Sequence, residues 1–358
     1  MVRFGLVGLL VSGCTIDPTP SWDGNSEGVQ SEAPSVYTNG DDTVEEPVAA
    51  GSEDDPVLPG DDDDKDDARI AFTQQATTYW STNGIAVGHN GDEGLMGMSG
   101  GGACVIFPDD GSLGDEEDVH DCPDDPGSYF EDGSVLVAGI GCDDVSIYDG
   151  NGRVLDIAVP GLLGSEAIGN DFVALQSVDG SCELTQRHLD AVVSVTPLPV
   201  EACGERVALV TDAANGVTYI AAGSLWAVAD GDAALLSESA GDLLALDRAS
   251  GTLVAGFRGD TELSGLALDG AELWTQPTLG PLARLHEIGS TGAVMAQLMN
   301  DWNDVGRFVA YGVADGSVWG ESIAWPQIVD LDISSDGSTM VVSTDNSRVY
   351  SYGIRLND

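Results

Sequence analysis

Lysine is all but missing from this chain. Lys65 is the only one, and with eleven arginines it faces 61 aspartates and glutamates, which sets the formal net charge at −49. Phosphate binding relies on clustered Lys and Arg, so this composition disfavours nucleic acid and anionic headgroups as partners. Cationic partners and divalent cations are favoured, although a solvated surface adapted to salt or solubility accounts for the same charge with no partner. After residue 13 no apolar run approaches the roughly 20 residues that a membrane-spanning helix needs, and no helical period is sustained. Histidine is scarce: His89, His120, His188 and His286 fall in different parts of the chain with no shared motif. There is no C-x-x-C spacing, and His120 near Cys122 lacks the paired ligands that zinc requires.

What is present begins at the N-terminus, where Arg3 precedes the apolar run Phe4 to Val11 and then Ser12-Gly13-Cys14. Small residues before a cysteine at the end of a short apolar core resemble the lipobox of bacterial lipoproteins. The resemblance implies a signal peptide over residues 1–13 and a mature N-terminus at a lipidated Cys14. Each buried methylene contributes about 0.8 kcal/mol, and two or more acyl chains suffice for stable anchoring. Thr15, rather than Asp, after the cysteine implies sorting to the outer membrane of a Gram-negative bacterium by the rule known from enteric bacteria. The alternative is an ordinary secretory signal with an accidental cysteine.

From Thr15 to Asp67 the chain is dominated by Asp, Glu, Pro, Gly, Ser and Thr, ending in the run Asp61-Asp62-Asp63-Asp64-Lys65-Asp66-Asp67. Such a segment buries too little apolar surface to offset its ordering entropy, and residues 14–67 read as a disordered acidic tether with a coil-like reach of about 40 Å.

Residues 68–358 read as one all-β body. Short apolar strands alternate with turn signals, and Asp-Gly recurs at Asp110, Asp132, Asp149, Asp179, Asp230, Asp269, Asp315 and Asp336. Asp-Gly between apolar runs signals a hairpin, because the tight turn needs positive φ. The strands group into imperfect repeats of about 35 to 45 residues, a period that points to a β-propeller. The clearest repeat runs from Gln327 to Ile354, and an earlier unit is read from Leu263 to Leu298. Seven blades fit the count, with six or eight as alternatives. The C-terminal repeat, with Asp336-Gly337-Ser338-Thr339 opening a strand, resembles WD40 or YVTN-type repeats. Leu243 to Phe257 is similar to the quinoprotein-like repeat through Ala245, Leu246, Asp247, Ser250 and Gly251, with Phe257 where that family has Trp. The last repeat supplies only three strands, and Ala68 to Thr73, with Ile70 and Phe72 on one face, is expected to return as its fourth.

Five cysteines follow Cys14. Export favours disulfides, and the preferred pairs are Cys182 with Cys203 and Cys104 with Cys122, leaving Cys142 over. Gly97-Met98-Ser99-Gly100-Gly101 fits G-x-S-x-G, the nucleophile elbow, but that motif needs a following helix and the next residues read as a strand. The Asp-rich stretch Asp109 to Asp125 is read as a solvated loop in preference to a Ca²⁺ site. The tryptophans are assigned to packing between blades, with a few available to line the central mouth. No catalytic, cofactor or metal residue is identified.

The sequence thus reads as a lipid-anchored envelope protein whose non-enzymatic propeller binds a protein or other ligand at its face. Two alternatives stand beside it. One is an envelope-assembly scaffold similar to the propeller lipoprotein of the outer-membrane β-barrel assembly machine, and the other is an extracellular propeller hydrolase or lyase.

Overall fold

The computed structural model describes residues 69–79, 82–87, 94–98, 102–107, 112–117, 128, 130, 134–139, 143–148, 153–289, 291–299, 305–322, 328–334, 336–344 and 348–357. Among them are seven antiparallel sheets, five of four strands and two of three. These are the blades of a β-propeller. Blade 1 comprises Thr82–Val87, Gly94–Met98, Gly102–Phe107 and Ser112–Glu117; blade 2, Val135–Gly139, Asp144–Tyr148 and Arg153–Ala158; blade 3, Leu162–Ile168, Asp171–Val178, Ser181–His188 and Ala191–Leu198. Blade 4 has the three strands Ala208–Asp212, Val217–Ala229 and Asp232–Gly241. Blade 5 runs through Leu243–Asp247, Thr252–Gly256, Glu262–Ala267 and Glu272–Pro277, and blade 6 through Leu282–Glu287, Ala293–Met299, Val305–Gly312 and Val318–Glu321. Blade 7 takes Ile328–Ile333, Thr339–Thr344 and Arg348–Leu356, and its fourth strand is Ile70–Tyr79 from the other end of the ring.

The hairpin chemistry follows the sequence. Asp179-Gly180 and Asp230-Gly231 both place two successive residues at positive φ (51° and 79°, 53° and 84°), the geometry that matches a two-residue turn to the right-handed twist of its strands. At Asp315 and Asp336 only the glycine is positive. There the aspartate Oδ1 accepts hydrogen bonds from the backbone and hydroxyl of Ser317 or Ser338 and so fixes the turn from its side chain.

The first strand of each blade is the innermost, and first strands of successive blades pack together from blade 2 through blade 7, with blade 7 meeting blade 1. Apolar residues therefore collect in layers between blades. One layer joins blades 6 and 7 with Ile70 and Phe72, and others join blades 5 and 6, 2 and 3, 3 and 4, and 4 and 5. Closure is direct: Ile70 pairs with Leu356 and Phe72 with Ile354, and the Phe72 ring meets Phe308 edge-on at 5.3 Å between centroids. The short last repeat left one edge unpaired, and the returning strand covers it, as the sequence predicts.

Two readings are corrected. The unit read from Leu263 to Leu298 straddles a boundary, since Glu262–Ala267 and Glu272–Pro277 end blade 5 while Leu282–Glu287 and Ala293–Met299 begin blade 6. Strands alternate identically on both sides of that boundary, so periodicity alone could not locate it. Asp109 to Asp125 is not one loop, because Ser112–Glu117 within it is the outer strand of blade 1.

Tryptophan and glycine are matched across strands. Trp274 on the outer strand of blade 5 lies over Gly265, and Trp319 on the outer strand of blade 6 over Gly312. A Cβ on either glycine would stand 2.2 or 2.4 Å from the indole. Trp274 Nε1 donates to the Val313 carbonyl at 2.7 Å, and the Arg69 guanidinium sits 5.3 Å from the Trp319 ring centroid. Trp226 is buried in blade 4. These described tryptophans serve packing, and none is on an inner strand lining the central mouth.

Cys182 and Cys203 are bonded, with Cα atoms 5.7 Å apart. The bridge ties blade 3 to the one-turn helix Val200–Ala202 and the segment leading into blade 4. With a sequence separation of 21, the chain-entropy relation makes it worth about 3 kcal/mol. Cys203→Ser is expected to lose about that much stability in a denaturant titration under oxidising conditions, and to match the wild type once both are reduced.

Candidate functional site

The inner strands all run in the same sense along the channel. Each begins at one end, here called upper, and finishes at the lower end in the turn to the second strand. Polar side chains on these strands meet across blades.

Near the lower end, Arg248, just after the inner strand of blade 5, joins three neighbours. Its Nη1 pairs with Glu287 of blade 6, and its Nη2 lies 3.4 Å from Glu166 Oε1 of blade 3 and donates to the Thr211 carbonyl of blade 4 at 3.2 Å. The side chains of Glu166 and Glu287 are 18 % and 19 % exposed against 41 % for Arg248, so the guanidinium reaches water while the carboxylates are held in the wall. Burial pushes Glu166 up to about 8, opposed mainly by the Arg248 charge, and its Oε2 has no hydrogen-bond partner among the described residues. Burial likewise raises Glu287 to about 7, again opposed by Arg248. Near neutral pH the group carries fewer charges than its residue types imply.

Deeper in the channel, Arg284 of blade 6 pairs with Asp330 of blade 7, whose carboxylate is almost fully buried. His286 follows on the same face. Gln297 Nε2 donates to its Nε2 at 2.9 Å, and its Nδ1 is 4.0 Å from Asp332. Burial, aided by the Arg284 charge, lowers His286 to about 3, so the ring is neutral at ordinary pH. A neutral imidazole locked by an amide is a strut between strands.

At the upper end the connectors carry arginine. Arg206 precedes the inner strand of blade 4, and Arg258 follows the second strand of blade 5. Both are exposed, and beside them stand exposed Phe257 and Leu279. A groove of about 320 Å³ runs from Phe257 between blades 4 and 5, lined by Ser237, Ser239, Phe257, Asp260, Glu262 and Glu272.

Of the candidate site residues read from sequence, Cys182 and Cys203 are joined as expected. Cys14, Cys122 and Cys142 lie outside the described residues. Cys104 is on the strand Gly102–Phe107, but its side chain is likewise outside them. Gly97 and Met98 end one strand, and the next element is the strand Gly102–Phe107 paired back to it, where a nucleophile elbow has a helix. His188 hydrogen-bonds Asp171 at 2.8 Å on the rim of blade 3. No group of three or more His, Cys, Asp or Glu side chains able to hold a metal is found among the described residues. The interblade ion pairs were missed by sequence reasoning, since their partners are 39 to 82 residues apart.

No protein-family profile matches the chain, and no curated protein resembles it in sequence. Its fold, however, recurs in solved structures. A chain in the crystal structure of the mitotic checkpoint complex superposes with a TM-score of 0.63 at 12 % identity, covering 91 % of this chain and 99 % of that one. The structures of U3-55K and of the RRP9 WD40 repeats give 0.60 and 0.59 at 11 % identity, each covering 80 % of this chain and 98 % of the other. The chain is thus a β-propeller with the architecture of WD40-repeat proteins, a likeness that extends to the fold and, at such identities, no further.

Proposed function

We propose that this protein is a lipid-anchored component of the cell envelope, most simply of a Gram-negative outer membrane, whose propeller binds a protein or other ligand at its face without catalysis or cofactor. The observation that carries the reading is the state of the channel. Among the described residues its charged side chains engage one another across blades 3 to 7 and act as struts, with Arg248 reaching water at the lower end, while Arg206 and Arg258 stand exposed on the connectors of the upper rim. A face of connectors on a rigid ring suits recognition.

Cys14 and the acidic tether supply the address. The returning strand starts at Ile70 on the lower, outer side of blade 7, directly after the acidic segment in sequence. The experiment is fractionation. The wild-type chain is expected in the membrane fraction, and Cys14→Ala in the soluble one. A Cys14→Ala protein that stays membrane-bound, or a wild-type chain without acyl groups by mass spectrometry, would refute the anchoring.

A further inference from the structure

Arginines scattered along the sequence converge at the upper rim. The Arg258 backbone N–H donates to Asp242 Oδ1 at 2.7 Å, at the start of the inner strand of blade 5. The next residue, Gly259, donates to the Leu282 carbonyl at 2.7 Å, two residues before Arg284. Arg258 is therefore clamped between the upper ends of the blade 5 and blade 6 inner strands. Arg206 stands two residues before the inner strand of blade 4, which packs against that of blade 5. The disulfide at Cys203 anchors that segment.

The Arg258 guanidinium feels the other two. Partial burial of this otherwise exposed side chain, then the charges of Arg284 and Arg206, hold Arg258 below the usual arginine range, and the opposing carboxylate, Asp242, has the smaller effect. Arg284 is paired with Asp330, whereas neither Arg206 nor Arg258 has a side-chain ion pair among the described residues. In a chain with 61 acidic and 12 basic residues, unpaired like charges held together are a cost that structure alone does not require. Exposed guanidinium forks match carboxylates in geometry as well as charge.

Apolar surface adjoins them. Phe257 precedes Arg258, and Leu279 lies on the neighbouring connector, held by the Thr278 N–H to Thr261 carbonyl bond of 2.9 Å and by an Arg307 hydrogen bond to its own carbonyl. A bare anion makes no use of that surface. A peptide with both acidic and apolar side chains does.

We propose that the upper rim is a docking site for an acidic, partly apolar segment of a partner protein, with Arg206 and Arg258 gripping its carboxylates and Phe257 and Leu279 covering its apolar side chains. The proposal rests on the reading of the propeller as a binding module and names the partner's chemistry. Glu205 and Asp260 stand on the same connectors and Glu262 opens the next strand, but of the described carboxylates Asp242 is the one that bears on the Arg258 guanidinium, and at physiological salt charges beyond about 8 Å are largely screened.

The test is a fluorescence titration of the full chain with a labelled synthetic peptide of alternating glutamate and leucine, in physiological salt. Arg206→Gln and Arg258→Gln are each expected to weaken binding about tenfold. Arg355→Gln, an equal loss of charge at an exposed site on blade 7, should leave it unchanged, and Phe257→Ser should weaken it. Absence of binding, an equal effect of Arg355→Gln, or displacement by inorganic phosphate as effective as by unlabelled peptide would overturn the proposal. Capture of the same envelope protein by wild type and by the Arg206→Gln, Arg258→Gln double variant would sink the rim while leaving the binding role intact.

Discussion

Deleting residues 15–73 is expected to abolish the folded ring, whereas deleting 15–60 should leave the melting temperature within about 4 °C of the full chain, the equivalent of about 1 kcal/mol. The longer deletion removes Ile70 and Phe72, which are 1 % and 4 % exposed in the layer between blades 6 and 7. Truncating one such side chain costs about 3 to 5 kcal/mol. Losing two, with much of the pairing to Arg348–Leu356, approaches the whole stability of a typical domain, about 5 to 15 kcal/mol. Phe72→Ala isolates the packing part and should lower stability by about 4 kcal/mol while leaving the backbone pairing in place. Equal melting temperatures for the two deletions would show that the ring closes some other way.

The second large effect is a pH-dependent penalty for removing Arg248. Glu166 and Glu287 have folded-state values raised to about 8 and about 7 by burial. The folded chain therefore holds protons that the unfolded chain releases above the ordinary carboxyl range. Their contribution to stability is complete below about pH 4.5 and is lost as pH rises through those folded values. Arg248 opposes both shifts, so its removal steepens the loss. Arg248→Met should cost about 3 kcal/mol at about pH 9, the low end for a broken buried pair because the guanidinium is partly solvated, and under about 1 kcal/mol at about pH 5. Glu166→Gln should do the reverse and flatten the decline. Melts in high salt, which screens the acidic surface, read this difference. A penalty equal at both pH values would show that Arg248 acts by packing alone.

Much of the architecture was legible because propellers are built from local hairpins. Asp179-Gly180 and Asp336-Gly337 announce turns by chemistry that acts within a few residues, and the unpaired edge of the last repeat announced the returning strand at Ile70. The Cys182–Cys203 bridge was legible for the same reason, its partners lying within adjoining segments. Blade boundaries were harder to read. The step from Pro277 to Leu282 looks like any other turn, and the Trp274–Gly265 and Trp319–Gly312 contacts that identify the outer strands are cross-strand facts. The charged network was illegible for a stronger reason. Arg248 meets Glu166 only because the ring brings blades 3 and 5 to one channel, and Arg206, Arg258 and Arg284 look scattered until three inner strands are aligned at their upper ends.

Photo-crosslinking in intact native envelopes tests the binding face most directly, with the reactive side chain placed at Phe257 on the upper rim or at Asp269 in the lower turn of blade 5. A discrete protein adduct from Phe257, absent from Asp269, is the predicted result. No discrete adduct from either position would contradict the claim that this propeller binds a partner at its face.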